Sequence, residues 1–213
     1  MAQRTVHYLL GEFLCEKTRM KDKNRFLLGS ILPDAYSEHR ERDSTHFICR
    51  SLQKNQAYFD FNKFREQYDQ LIQTDDLYLG YYMHLVEDSV YRKFFRDKKI
   101  KSPCCREEVA MLHQDYHLLN SYVVKRYLLQ NTMIKPMDFE KEPICKVADF
   151  RLDEFLREME RDFIEKPSGN THFLTESLLD EFIDQCAIIC EKELQSVLSG
   201  TCYLQATDYM WTR

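Results

Sequence analysis

The sequence predicts an all-α fold, a multi-helix bundle, and three observations lead there. Apolar residues recur every three or four positions, as in Phe61, Phe64, Tyr68, Leu71 and Ile72, and this spacing lines one face of a helix. Glycine and proline number only five each, too few for the many turns of a sandwich or barrel. Fourteen Phe and thirteen Tyr within a 44% hydrophobic composition supply the bulk for a sizeable core.

In chain order, Val6 to Lys17 reads as a first helix with His7 near its start. Phe26 to Leu32 is a short apolar run that stops at Pro33-Asp34, and the charged stretch from Asp34 to Thr45 reads as a surface loop. A helix is expected around Phe59 to Ile72. Asp75-Asp76 then caps a longer one from Leu77 to Phe95, on which Leu79, Met83, Val86 and Val90 repeat at helical spacing. Ser102-Pro103 breaks the chain before a helix over Arg106 to Leu129. Thr132 to Asp149, with Pro136 and Pro143, reads as a linker. Leu152 to Ile164 and Phe173 to Leu198 are the last two helices, separated by a turn at Pro167-Ser168-Gly169-Asn170. No Gly/Ser linker divides the chain. Residues 1–213 are therefore expected to form one helical domain, with the helices of 150–213 packing on the earlier ones.

Composition narrows the function. A net charge of −5 provides no global basic field, so no stable nucleic-acid complex is expected. The start of the chain lacks the apolar run of a secretory signal, and no stretch reaches membrane-spanning length. A soluble, cytoplasmic protein is the expectation. The eight cysteines contain no CxxC pair, so reduced, packed thiols are expected in place of a zinc ribbon.

Chemistry concentrates at His7, Asp34, His46, His84 and Asp88, and at the pair His113/His117. An i, i+4 spacing sets His84 and Asp88 one turn apart on one helix face. That is how a single helix offers a metal two ligands, although a surface ion pair has the same spacing. The surrounding Leu79-Gly80-Tyr81-Tyr82-Met83 argues for burial, and a buried carboxylate needs a cation or hydrogen bonds. Asp34, at the end of an apolar run, either caps the next turn or reaches a metal. His113 and His117 repeat the i, i+4 geometry, while His39 and His172 fall in expected loops. Arg92 and Arg96 follow Asp88 at successive turns. They form either a solvated face or a grip on a substrate phosphate, with Arg92 the nearer candidate for substrate binding.

The ordered series His7, Gly29-Ser-Ile-Leu-Pro-Asp34, His46 and Gly80-Tyr-Tyr-Met-His-Leu-Val-Glu-Asp88 resembles the zinc-dependent phospholipase C superfamily, which includes the single-strand-specific zinc nucleases. The resemblance spans roughly residues 1–125. It implies a bundle of the zinc-dependent phospholipase C type and a metal-dependent phosphoesterase activity. By the same resemblance His46, His84 and Asp88 bind one metal, and His7 helps bind a second that shares Asp88. Asp34 bridges the metals or orients the attacking water, as the catalytic group. His113 and His117 would complete the cluster or form a further site, but position 121 is Ser where the family pattern has Glu. No Trp lies near the start to match the N-terminal ligand of secreted members. Two divalent cations are therefore expected, or three if His113 and His117 add a site. Zinc is expected first, and manganese or iron also suit these donors. The implied substrate is a small phosphate ester or a phospholipid headgroup. Two other readings remain at this stage. An HD-type phosphohydrolase would need an adjacent His-Asp pair, which the chain lacks. A non-catalytic helical binding protein would hold its metal structurally.

Overall fold

The computed structural model describes residues 3–51 and 55–212. Helices dominate: α1 (Arg4–Lys17), α2 (Lys23–Ile31), the single-turn α3 (Arg42–Thr45), α4 (Phe61–Thr74), α5 (Asp76–Asp97), α6 (Arg106–Arg126), α7 (Leu152–Ile164) and α8 (Glu176–Leu198). A small antiparallel sheet of β1 (Ile48–Ser51), β2 (Gln56–Phe59) and β3 (Trp211–Thr212) adds to the expected all-helical pattern. β1 pairs with β2 from Ile48↔Phe59 to Ser51↔Gln56, and Ala57 pairs with Trp211. The expected loop between Asp34 and Thr45 contains α3 and a 3₁₀ turn at His39–Glu41. The expected linker carries two more 3₁₀ turns and buries Phe139 and Ile144. Two apolar side chains in the core tie that segment down against the helices.

The bundle is organised around α5. Every residue from Asp76 to Tyr91 is buried, as expected of a helix that is apolar nearly all round. α2, α4, α8 and β2 pack around it. Asp75 starts the helix, its side chain accepting from the Leu77 amide at 3.0 Å. α2 lies closest. A Cβ on Gly29 would stand 2.1 Å from the Leu77 carbonyl oxygen, and one on Gly80 would stand 2.1 Å from that of Phe26. Only glycine at both positions lets the two backbones approach this closely. α1 packs on α2 and α8, and α7 on α6 and α1. No helix among the described residues is long and apolar enough to cross a membrane. The cysteines are free, and buried Cys186 and Cys190 have sulfurs 3.7 Å apart.

The turn before α8 is held from α6. The buried Asp115 carboxylate accepts from the amides of His172, Phe173 and Leu174 at 2.7, 2.6 and 3.0 Å. Charge-assisted bonds to three otherwise unserved amides are individually strong. Asp115→Ala is expected to cost about 3 kcal/mol in urea denaturation and to speed amide exchange at residues 172–174.

Candidate metal centre

Each imidazole enters the centre with its orientation set by the backbone or by a carboxylate. His84 Nδ1 donates to the Ser30 carbonyl on α2 at 2.8 Å. A carbonyl only accepts, so the proton sits on Nδ1 and the Nε2 lone pair faces inward. This bond exists because Gly29 and Gly80 bring α2 against α5. His46 caps α3, with Nδ1 3.1 Å from the Arg42 carbonyl and 2.9 Å from Thr45 Oγ1. The Thr45 carbonyl is itself anchored by Tyr81 Oη at 2.5 Å. His7, from α1, places Nδ1 2.6 Å from Glu87 Oε2 and stacks on the His84 ring, centroids 3.8 Å apart. Histidines whose second nitrogen is tied in this way are typical metal ligands.

The inward-facing atoms converge. His84 Nε2 and His46 Nε2 are 3.4 Å apart. Asp88 Oδ2 lies 3.6 Å from His46 Nε2 and 3.8 Å from His84 Nε2, and its Oδ1 lies 3.5 Å from His7 Nε2. Asp34, at the end of the 3₁₀ turn Leu32–Asp34, sets Oδ1 3.2 Å from His46 Nε2. The donors fall into overlapping triads, His7/His84/Asp88 and Asp34/His46/His84, each spanning less than 4.8 Å. An imidazole nitrogen has one lone pair and serves one cation, whereas a carboxylate has two oxygens and can serve two. Asp88, with one oxygen toward His7 and the other toward His46 and His84, is therefore the group able to join two cations.

The electrostatics favour positive charge here. Among the described residues, Asp34 and Glu87 pair only with imidazoles. Burial drives the His84 ring down to about 3, with the His7 charge adding to the effect. Burial also opposes charge on His7, but Asp88 and Glu87 outweigh it and raise that ring to about 10. Burial would raise Asp34, yet His46 and His84 bring it down to about 2. Burial lifts Glu87 to about 7 against the pull of His7. The site thus favours positive charge: Asp88 and Glu87 hold a proton on His7, while burial keeps the inward Nε2 of His84 a free lone pair. His7 Nε2 and Glu87 Oε1 are buried without a hydrogen bond, a cost that coordination would relieve at His7. A donor set of imidazole nitrogen and carboxylate oxygen suits zinc, manganese or iron.

The sequence-expected residues His7, Asp34, His46, His84 and Asp88 thus come together from α1, the 3₁₀ turn, the end of α3, and α5. His113 and His117 do not join the metal-capable groups among the described residues. α6 buries Asp115, Leu119, Asn120 and Val123 and turns these histidines outward, His117 being half exposed and 3.6 Å from Glu165. They line instead a cavity of about 260 Å³ beside Asp34, with Tyr36, Tyr116 and Asn120. Asp34 is the open edge of the centre, its side chain 11% exposed while His7, His46, His84 and Asp88 are fully buried. Arg92 lines another cleft, described below. Glu87 was not singled out by sequence reasoning, although an α5 apolar on nearly every face implied that it too is inside. Removing its charge by Glu87→Gln is expected to weaken metal affinity about 10- to 100-fold, as loss of an orienting partner does. Competition with a metallochromic chelator would measure it.

No protein-family model, curated protein or solved structure matches this chain.

Proposed function

We propose that the chain is a metal-dependent phosphoesterase of the zinc-dependent phospholipase C type, using two divalent cations. The observation that carries the reading is the asymmetry of the centre: four buried ligands converge, and one carboxylate, Asp34, stands at the edge of a cavity. A structural metal is enclosed on all sides, whereas a catalytic one keeps an open position.

In this reading His46, His84, Asp34 and Asp88 would hold one cation, and His7 with Asp88 would hold the second. Divalent cations bound there supply a water of lowered pKa and Lewis acidity toward phosphate oxygens. Asp34 stays a carboxylate through the neutral range and accepts a hydrogen bond from the attacking water, aligning it with the ester. Glu87 fixes the His7 ring, and Ser30 and Arg42 fix His84 and His46 through their carbonyls. Tyr36, Tyr116 and Asn120 wall the cavity, where a small phosphate ester or headgroup would sit.

Elemental mass spectrometry and turnover of bis-p-nitrophenyl phosphate and p-nitrophenyl phosphate test the proposal together. Metal near two equivalents and hydrolysis of either ester are expected. Asp34→Asn should cut kcat about 100-fold or more while keeping most of the metal. Absence of bound metal, with no uptake of added zinc, manganese or iron, sinks the reading.

A further inference from the structure

A second cleft, of about 700 Å³, opens between the sheet and the C-terminal half of α5. Arg42, Arg50, Arg92 and Arg96 line it with Phe95 and Trp211, and no acidic residue is among its lining residues. Four cations around one cleft stand out in a chain of net charge −5. Two of them have carboxylate partners outside it: Arg50 reaches Asp43 at 2.9 Å through Nε, and Arg96 lies 3.3 Å from Asp97. Arg96 also donates to the Met210 carbonyl at 3.0 Å.

Arg92 differs. Its guanidinium lies over the Trp211 ring, 5.0 Å from the centroid, and Trp211 rests in turn on Phe59 at 4.7 Å. Its Nε is buried without a hydrogen bond, and the carboxylate charge acting on it is that of Asp88, one turn earlier on α5. The charges of Arg42 and Arg92 repel across the cleft, an effect second only to burial in lowering the Arg92 pKa. A buried, unused Nε donor is costly to hold, and an anion placed between these side chains would relieve it.

We infer that this cleft is a binding site for the phosphoryl group of a small molecule, gripped by Arg92, Arg42 and Arg96 beside Trp211. Guanidinium forks match the oxygens of a tetrahedral phosphate, and a dianion suits several cations better than a single carboxylate does. The volume falls within the range of small-ligand sites. None of its lining residues lines the cavity beside Asp34, so the cleft is a separate opening, although the Arg42 carbonyl holds His46 and the Asp88 charge acts on Arg92; the proposal does not depend on the hydrolase reading.

Trp211 is the only tryptophan and reports on the cleft directly. Titrating the full-length protein with inorganic phosphate and pyrophosphate should produce a saturable change in its fluorescence, matched by calorimetry. Arg92→Gln and Arg96→Gln should each weaken binding, the former by about tenfold or more. Asp34→Asn should leave the Trp211 titration unchanged, which separates this site from anion held at the metal centre. Should Arg92→Gln fail to fold by circular dichroism, Arg96→Gln and Arg42→Gln decide. Glycerol 3-phosphate and vesicles containing phosphatidic acid distinguish a soluble from a lipid-borne phosphoryl group, and binding of either supports the site. No saturable change up to about 10 mM of any of these anions, or titrations unaltered in the arginine variants, would overturn it.

Discussion

Asp88→Ala should strip the protein of both cations, while His7→Ala should cost it only one. The contrast follows from the donor atoms. Asp88 directs Oδ1 toward His7 and Oδ2 toward His46 and His84, so its loss takes a ligand from each cation and the negative charge that lets two cations sit close together. His7 has one inward nitrogen, and without it Asp34, His46 and His84 still form a triad. Elemental analysis should read about two equivalents in the wild type, about one in His7→Ala and close to none in Asp88→Ala. Metal bound only by the native state stabilises it by mass action, by about 4 kcal/mol when free metal exceeds Kd a thousandfold. A chelator should therefore lower the wild-type Tm and leave that of Asp88→Ala where it is. If Asp88→Ala keeps a full metal load, the bridging role assigned to Asp88 is wrong.

Gly80→Ala, like Gly29→Ala on the facing helix, should be strongly destabilising for the addition of a single methyl group. The new Cβ would meet the Phe26 carbonyl oxygen at 2.1 Å, and backbone atoms cannot rotate aside as a side-chain tip can. The two helices must separate, opening the core along α2 and α5. Overpacking typically costs 1–3 kcal/mol, and a clash with backbone belongs at or above the upper end, about 3 kcal/mol. Gly11→Ala is the control. Its Cβ would meet the side chains of Leu27 and Ser30 at 3.0 Å, neighbours that can yield, and alanine gains about 1 kcal/mol in helix propensity. Urea denaturation of metal-free protein should show a large drop in midpoint for Gly80→Ala and a small change for Gly11→Ala. Equal effects would mean that the helices tolerate separation. Gly80→Ala should also weaken metal binding, because the bond from His84 Nδ1 to the Ser30 carbonyl depends on that approach.

Where a helix has a strong apolar stripe, its bounds could be read from sequence closely. α7 runs from Leu152 to Ile164 as expected, and α5 extends only a residue or two beyond Leu77–Phe95. The sheet could not be read. β1 and β2 are four residues each, and β3, two residues long, gains its partner from more than 150 positions earlier, a pairing no local pattern encodes. The two i, i+4 pairs show the same limit at the site. His84/Asp88 and His113/His117 have identical spacing, yet the first pair is interior and the second faces outward. The difference lies in the neighbours. α5 is buried around its circumference from Asp76 to Tyr91, so the polar residues of that stretch are inside. α6 alternates buried and exposed faces, and sequence did not show which face its histidines occupy. Glu87 went unassigned because its role, holding the far side of His7, requires two segments 80 residues apart to touch.

The order of the ligands along the chain has a consequence for biosynthesis. His7 emerges first from the ribosome, but the carboxylate it faces across the centre is Asp88, so a loop of about 80 residues must close before the two meet. α1 is then flanked on its other side by α8, which is synthesised near the end. In the proposed two-cation reading, the cation that needs His7 would therefore be captured only after α5 has been made, whereas Asp34, His46 and His84 need no contact with α1. Until then, a nascent polypeptide carries exposed imidazoles and carboxylates on separate, unassembled segments. The cation would act as the clasp that joins the earliest helix to the middle of the chain, and starvation for metal would be felt first as a failure to keep α1 docked.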